Sequence, residues 1–178
     1  MTATEIARRS DSLYYDSVSR RFLCDRIAYL EADKDKVEQP MTIKTMLDDG
    51  AFLPERAHGT DAGADIRTPY GFAIPAGGTV IVKTGIHVQL PPRSVGMVKS
   101  KSGLHIRDGI TTEGVIDEGY SGEIVVKLHN RNIEPRAFKR GDKIAQLVVM
   151  PVLYPTYVES DSIEAGERGD NGFGSTGR

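Results

Sequence analysis

The chain has 178 residues, with 23 Lys and Arg against 25 Asp and Glu and a formal net charge of −2. That length fits one domain with a core of its own, and scattered bases without an excess argue against a general nucleic-acid binder. A single cysteine, Cys24, gives neither an internal disulfide nor a thiolate zinc spacing. No apolar run approaches the roughly 18–20 residues of a bilayer span, and the amino terminus has no apolar signal-peptide region. The expected setting is reducing and cytoplasmic, with no membrane and no stable nucleic-acid partner.

Residues 1–40 read as a helical amino-terminal extension. Thr2 and Glu5 fit a capping box, and Leu13, Tyr14, Val18, Phe22, Ile27 and Leu30 recur at helical steps. Ser10 and Asp11 could cap a second helix, so one helix or two stays open. Arg8-Arg9 and Arg20-Arg21 are balanced by nearby acids and read as a solvated face. Pro40 is the expected stop. From Met41 the texture changes to short β-rich runs punctuated by glycine and proline, of which the chain has 19 and 9. Strands are expected near Thr42–Thr45, Asp65, Phe72–Pro75, Thr79–Lys83, Ile86–Leu90, Val95–Val98, Ile124–His129 and Lys143–Val152. The fold expected for 41–165 is all-β, a sandwich, jelly roll or small barrel. Residues 166–178 are polar and glycine-rich, and read either as a disordered tail or as a carboxyl-terminal arm.

The stretch Gly114–Glu123, GVIDEGYSGE, concentrates chemistry. It reads as a hairpin with Asp117 and Tyr120 at its tip, reversing through Gly119 at positive φ. Backbone amides, an acid and a flat ring suit a small planar heterocycle. The arm GERGDNGFGSTGR places Arg168, Phe173, Ser175 and Thr176 among glycines, which can wrap a phosphate chain while a ring lies on a base. The four histidines, His58, His87, His105 and His129, have no tight metal spacing and read as surface or packing residues.

Over about residues 42–178 the chain resembles the trimeric dUTPase family. Five ordered motifs carry the resemblance: Ala62-Gly63-Ala64-Asp65-Ile66, Lys101-Ser102-Gly103-Leu104, the GVIDEGY run, Arg140-Gly141-Asp142-Lys143-Ile144-Ala145-Gln146, and Arg168 to Gly177. Each is weak alone; five in order are not. The resemblance implies a distorted β-barrel or jelly roll and Mg²⁺-dependent hydrolysis of dUTP to dUMP and pyrophosphate. Such an activity limits uracil in DNA and supplies dUMP for dTMP synthesis.

It also implies roles. Asp117 would be the base that orients water on the α-phosphorus, and Tyr120 would lie under the deoxyribose, leaving no room for a 2′-hydroxyl. The backbone from Gly114 through Ile116 to Tyr120 would bond the uracil edge, leaving cytosine with unpaired groups. Lys101, Ser102, Gly103 and Gln146 would meet the phosphates, and Asp65 would hold a water of the Mg²⁺ shell. Because Mg²⁺ prefers oxygen ligands and retains water, the triphosphate is its natural ligand. Phe173 would cover the uracil, with Arg168, Gly174, Ser175 and Thr176 closing over a neighbouring subunit's site. A homotrimer with shared sites follows from the resemblance.

Lys101 stands where the family usually has arginine, and Asn171 where it usually has glycine. Lysine keeps the charge but loses the planar two-pronged donor set. Two rival functions stay open. One is a dUTPase-fold regulator that senses nucleotide and binds a protein partner through residues 1–40. The other is dCTP deaminase, which resembles dUTPase in fold but relies on a glutamate where this chain carries Lys127.

Overall fold

The computed structural model describes residues 42–164 together with Gly166 and Gly169. The helical extension expected over 1–40 lies outside these residues, as do Arg168, Phe173, Gly174, Ser175 and Thr176 of the arm. The chain divides into two compact units, 1–45 and 46–178.

The described residues form an all-β body with one short helix. In chain order the elements are β1 (Lys44–Leu47), β2 (Gly63–Arg67), β3 (Phe72–Ile74), β4 (Thr79–Lys83), β5 (Ile86–Gln89) and β6 (Ser94–Lys99). They continue with α1 (Ser102–Asp108), β7 (Ile110–Thr111), β8 (Glu113–Ile116), β9 (Val125–Asn130), β10 (Arg136–Phe138) and β11 (Lys143–Pro151). A four-stranded sheet has the order β2-β11-β6-β8, a three-stranded sheet the order β4-β9-β7, and β3 pairs with β10.

Alternation decides which side chains enter the core. On β9, Val126, Leu128 and Asn130 are buried while Val125 and Lys127 face out, as a period of two requires. Ile66, Ile74, Val82, Ile86, Ile110, Ile124 and Ile144 complete an aliphatic interior, each contributing roughly 1.5–3 kcal/mol by burial. Gly96 on β6 is there for close approach. A Cβ would sit 3.2 Å from both Ile116 and Leu147 side-chain carbons, with Leu90 at 3.4 Å.

Several sequence expectations need correction. The consecutive strands expected near Phe72–Pro75 and Thr79–Lys83 form but pair elsewhere: β3 joins β10, while β4 joins β9. The GVIDEGYSGE stretch is not a hairpin. β8 pairs with β6 and β9 with β4 and β7, so residues 117–124 cross from one sheet to another. Gly119 does not use positive φ; the left-handed glycines include Gly85 (φ 67°) and Gly141 (φ 87°) instead. At Gly85 only glycine fits, because a Cβ would lie 2.8 Å from the Ala51 Cβ. Finally, the Lys101–Leu104 run opens a helix that ends at left-handed Gly109, whose amide donates to the His105 carbonyl at 3.1 Å.

Asn130 is the polar pin of this core. It is 2% exposed. Its amide nitrogen donates to the Ile74, Pro75 and Glu134 carbonyls at 3.3, 3.1 and 2.8 Å, and its carbonyl accepts from Asn132 N at 3.0 Å. Replacing it strands those buried groups, so Asn130→Ala is expected to cost about 2–4 kcal/mol in urea unfolding. A loss well under about 1 kcal/mol would show that the network does not hold β9 to the 74–75 and 132–134 turns.

Candidate active site

A row of polar side chains crosses the four-stranded sheet. Register places Gln146 opposite both Asp65 and Lys99, and Lys99 opposite Glu113. A bulge in β11 extends the row. Lys143 pairs with Arg67 but Ala145 with Ile66, so Ile144 is an extra residue. In a regular strand Lys143 and Gln146, three apart, would point to opposite faces; the bulge puts both on the Asp65 face.

Asp65 is the centre of this group. Its carboxylate accepts from Lys101 Nζ and from Lys143 Nζ, the latter at 2.6 Å. Burial pushes its pKa up, but the two lysines outweigh burial and hold it below the usual carboxylate range. Gln146 donates to the Ser100 carbonyl at 2.9 Å, and its side chain lies across Gly63, where a Cβ would come within 2.5 Å of its Oε1. Ser100 in turn donates to the Thr112 carbonyl and accepts from its amide, both at 2.9 Å. Lys101 is the amino-terminal cap residue of α1 without a side-chain cap bond, and Ser102 and Gly103 are exposed in its first turn. Their amides point away from the helix and are free to meet an anion. Lys101, Ser102, Gly103 and Gln146, expected to meet phosphate, thus stand together with Asp65, expected to meet the Mg²⁺ shell, and Lys143 joins them. Sequence reasoning passed over Lys143 because the bulge that turns it has no sequence signature.

The second group is on the crossover. Gly114 and Ile116 lie on β8, which among the described strands has β6 on one side and no strand on the other. Its free edge leaves backbone donors and acceptors for a ligand. Asp117 is exposed, and its carbonyl accepts from Tyr120 N at 3.0 Å in a tight turn. The Tyr120 ring folds back over Gly122, where a Cβ would fall 2.5 Å from the ring, and its hydroxyl donates to the Glu123 carbonyl at 2.9 Å.

Neighbouring turns pin this crossover along its length. Glu118 accepts from the amide of Arg93, a residue at φ 60°, at 2.7 Å, and from the Tyr154 hydroxyl. Glu123 accepts from Gly85 N at 2.8 Å, Ile124 N donates to the Ile86 carbonyl at 2.8 Å, and Thr84 Oγ1 donates to the Ile124 carbonyl at 2.6 Å. His87 reaches Ser121 O with Nδ1 at 3.0 Å and the Asp48 carboxylate with Nε2 at 3.4 Å.

The two groups stand at opposite ends of β8. Glu113 is beside Lys99 and Ile116 beside Gly96. Asp117 thus lies four residues from the polar row, roughly 14 Å at about 3.4 Å per strand residue, and Lys101 continues in the other direction.

A family model described as dUTPase matches residues 49–177. The chain belongs to the dUTPase family. It is 41% identical over 134 residues to the deoxyuridine 5′-triphosphate nucleotidohydrolase of Clostridium acetobutylicum, covering 74% of this chain and 92% of that one. The enzyme of the same name from Corynebacterium efficiens is 38% identical over 158 residues, covering 86% and 87%. Among solved structures, the dUTPase of Staphylococcus bacteriophage 80alpha with dUpNHpp superposes with a TM-score of 0.73 at 27% identity, covering 78% of this chain and all of that one. A mutant dUTPase from phage phi11 of S. aureus, whose structure describes a structural Mg(II) ion, aligns with a TM-score of 0.64 at 26% identity, covering 68% and 98%.

The donor set limits how a metal could be held. Among the described residues no group of three or more His, Cys, Asp or Glu could hold a metal ion, and Asp65 is already shared by two lysines. These residues fit a cation held by phosphate oxygens and water rather than by a cage of protein ligands. Lys127, at the position that a deaminase would fill with glutamate, faces out of β9 opposite Ile81. The regulatory alternative rests on residues 1–40, outside the described part. Among the described residues no helix is long and apolar enough to cross a membrane.

His87 supplies a pH test of the crossover. A carbonyl and a carboxylate are both acceptors, so the ring satisfies the two together only when both nitrogens carry protons. The Ser121 carbonyl first, then Asp48 and the charge of Glu123, raise its pKa above the ordinary 6.5. A raised folded pKa stabilises below 6.5, and that stabilisation is lost as pH climbs through the raised value. The melting-temperature gap between wild type and His87→Gln is therefore expected to be full below pH 6.5 and to shrink above it. A gap that stays constant across that window would mean that His87 bonds the crossover in its neutral form.

Proposed function

We propose that this protein hydrolyses dUTP to dUMP and pyrophosphate. The reading is carried by the coexistence of Asp117 and Tyr120 on a pinned crossover beside a free strand edge, with a lysine-rich phosphate group on the same sheet. Uracil would bond the β8 edge from Gly114 to Ile116, and the Tyr120 ring would support the deoxyribose. Asp117 would orient a water and take its proton as the water oxygen attacks the α-phosphorus. The bond from that phosphorus to the α–β bridging oxygen breaks, and the electron pair leaves with pyrophosphate.

Lys101, with the Ser102 hydroxyl and the Ser102 and Gly103 amides, would hold the phosphates. Gln146 would keep their loop in place through Ser100. Mg²⁺ brought by the triphosphate, with Asp65 binding one of its waters, would neutralise charge on the leaving group. The arm residues Arg168, Phe173, Gly174, Ser175 and Thr176 would close the site and exclude bulk water. The 1–40, 41–165 and 166–178 divisions follow the same reading as extension, catalytic body and lid.

The base and the phosphate group of one chain are too far apart to meet at one α-phosphorus. A site shared between copies, in a cyclic homotrimer, joins the Asp117 of one chain to the Lys101 group of another.

Asp117→Asn is expected to lower kcat for dUTP by about 10²–10⁴-fold with little change in KM, the range for losing a positioned base. Near-normal kcat, measured by pyrophosphate release, would remove Asp117 from the mechanism. Mixed oligomers give the second check. Co-refolding inactive Asp117→Asn with inactive Lys101→Ala should regain on the order of a quarter of wild-type activity by random assembly of a cyclic oligomer. Activity no higher than the two parents would place the whole site within one chain.

A further inference from the structure

Behind the phosphate group lies a cleft of about 360 Å³ lined by Arg67, Leu104, Arg136, Phe138, Gly141, Asp142 and Lys143. Its positive charge is not matched. Asp65 is shared by Lys101 and Lys143, and Asp108 by Arg107 and Arg136, so two carboxylates serve four cations along the two ends of α1. Among the described residues Arg67 pairs with no carboxylate; its guanidinium donates to the Gly141 carbonyl at 3.0 Å. Asp142, the one acid in the lining, already accepts from Lys139 N at 2.7 Å. Arg136 sits over the Phe138 ring at 5.8 Å and reaches Asp108 at 3.4 Å. Its Nε is buried and makes no hydrogen bond among the described residues.

The Arg136 side chain as a whole is 41% exposed, so its guanidinium edge is open to the cleft that it lines even though Nε is covered. Guanidinium groups give planar, paired donors suited to phosphate oxygens. We propose that this cleft is a second anion site, bordering the Asp65–Lys101–Lys143 group, that binds a phosphate-type oxyanion through Arg136 and Arg67. Orthophosphate and pyrophosphate share the chemistry. The second is a product under the proposed function, and only that link rests on it. An anion here would draw Lys143 from Asp65, so occupancy would be felt at the phosphate group.

The test follows the Arg Nε–H resonances of the full-length ¹⁵N-arginine protein during titration with sodium pyrophosphate, sodium orthophosphate and, as ionic-strength control, sodium chloride. Saturable shifts of the Arg136 and Arg67 signals are expected with one or both phosphates and not with chloride. They should persist when the non-hydrolysable dUTP analogue dUpNHpp is present in saturating amount. Arg136→Gln, followed through Arg67, should bind about tenfold more weakly, as for one hydrogen bond to a charged group. No saturable shift, an equal response to chloride, or shifts abolished by the analogue would each overturn the proposal. Because the phosphate titration needs no turnover, a protein that failed to hydrolyse dUTP could still show the site.

Discussion

Residues 117–124 must leave the open edge of one sheet and enter the centre of another, and the site depends on how firmly that passage is held. A free crossover of eight residues would have many conformations to lose on ordering. Here the passage is tied to the β4–β5 turn through Glu123 and Ile124, to β5 through His87, and to the β5–β6 turn through Glu118. The bonds use the carboxylates of Glu118 and Glu123 as acceptors for backbone amides, which is stronger than a neutral pairing. Asp117 is left out of this scaffolding, its carboxylate exposed between residues that are fixed.

The phosphate side is organised by a different constraint. One buried carboxylate, Asp65, faces two ammonium groups, Lys101 from the amino-terminal cap of α1 and Lys143 from β11, and the bulge at Ile144 turns the second toward it. A pair of lysines around one acid is under-neutralised. That leaves net positive charge on a sheet face otherwise of mixed sign, and the charge persists behind α1, where Arg136 and Arg67 extend it. Lys143 lines both the Asp65 group and the cleft behind α1, so the two positively charged regions share a side chain.

Separation of these two groups along β8 has an architectural consequence. A strand is rigid on the scale of the reaction, so no local motion brings its ends together. Chemistry that needs both would draw them from two copies, as in the shared site proposed above.

Much of this was legible in the amino-acid order. Alternation in Val125–Asn130 and the glycine and proline punctuation determined short antiparallel strands, and the five ordered motifs determined the family, because residue identity at a reacting position is local information. Asp117, Tyr120, Asp65, Lys101 and Gln146 stand out in the motifs for the same reason, and their roles remain those proposed above. What only the tertiary structure decided is which strands pair, and from that where each motif stands. GVIDEGYSGE has the glycines and flanking strands of a hairpin; it became a crossover because β8 finds β6 and β9 finds β4 through long-range register. Gly119 looked like the left-handed corner, yet the close contact that demands glycine is at Gly85, where Ala51 approaches from a distant loop. Lys143 entered the Asp65 group through a one-residue bulge, which changes a side chain's face without changing composition or period. Pairing energy is spread over partners far apart in sequence, so the order of residues determined the chemistry and the folded sheet its geometry.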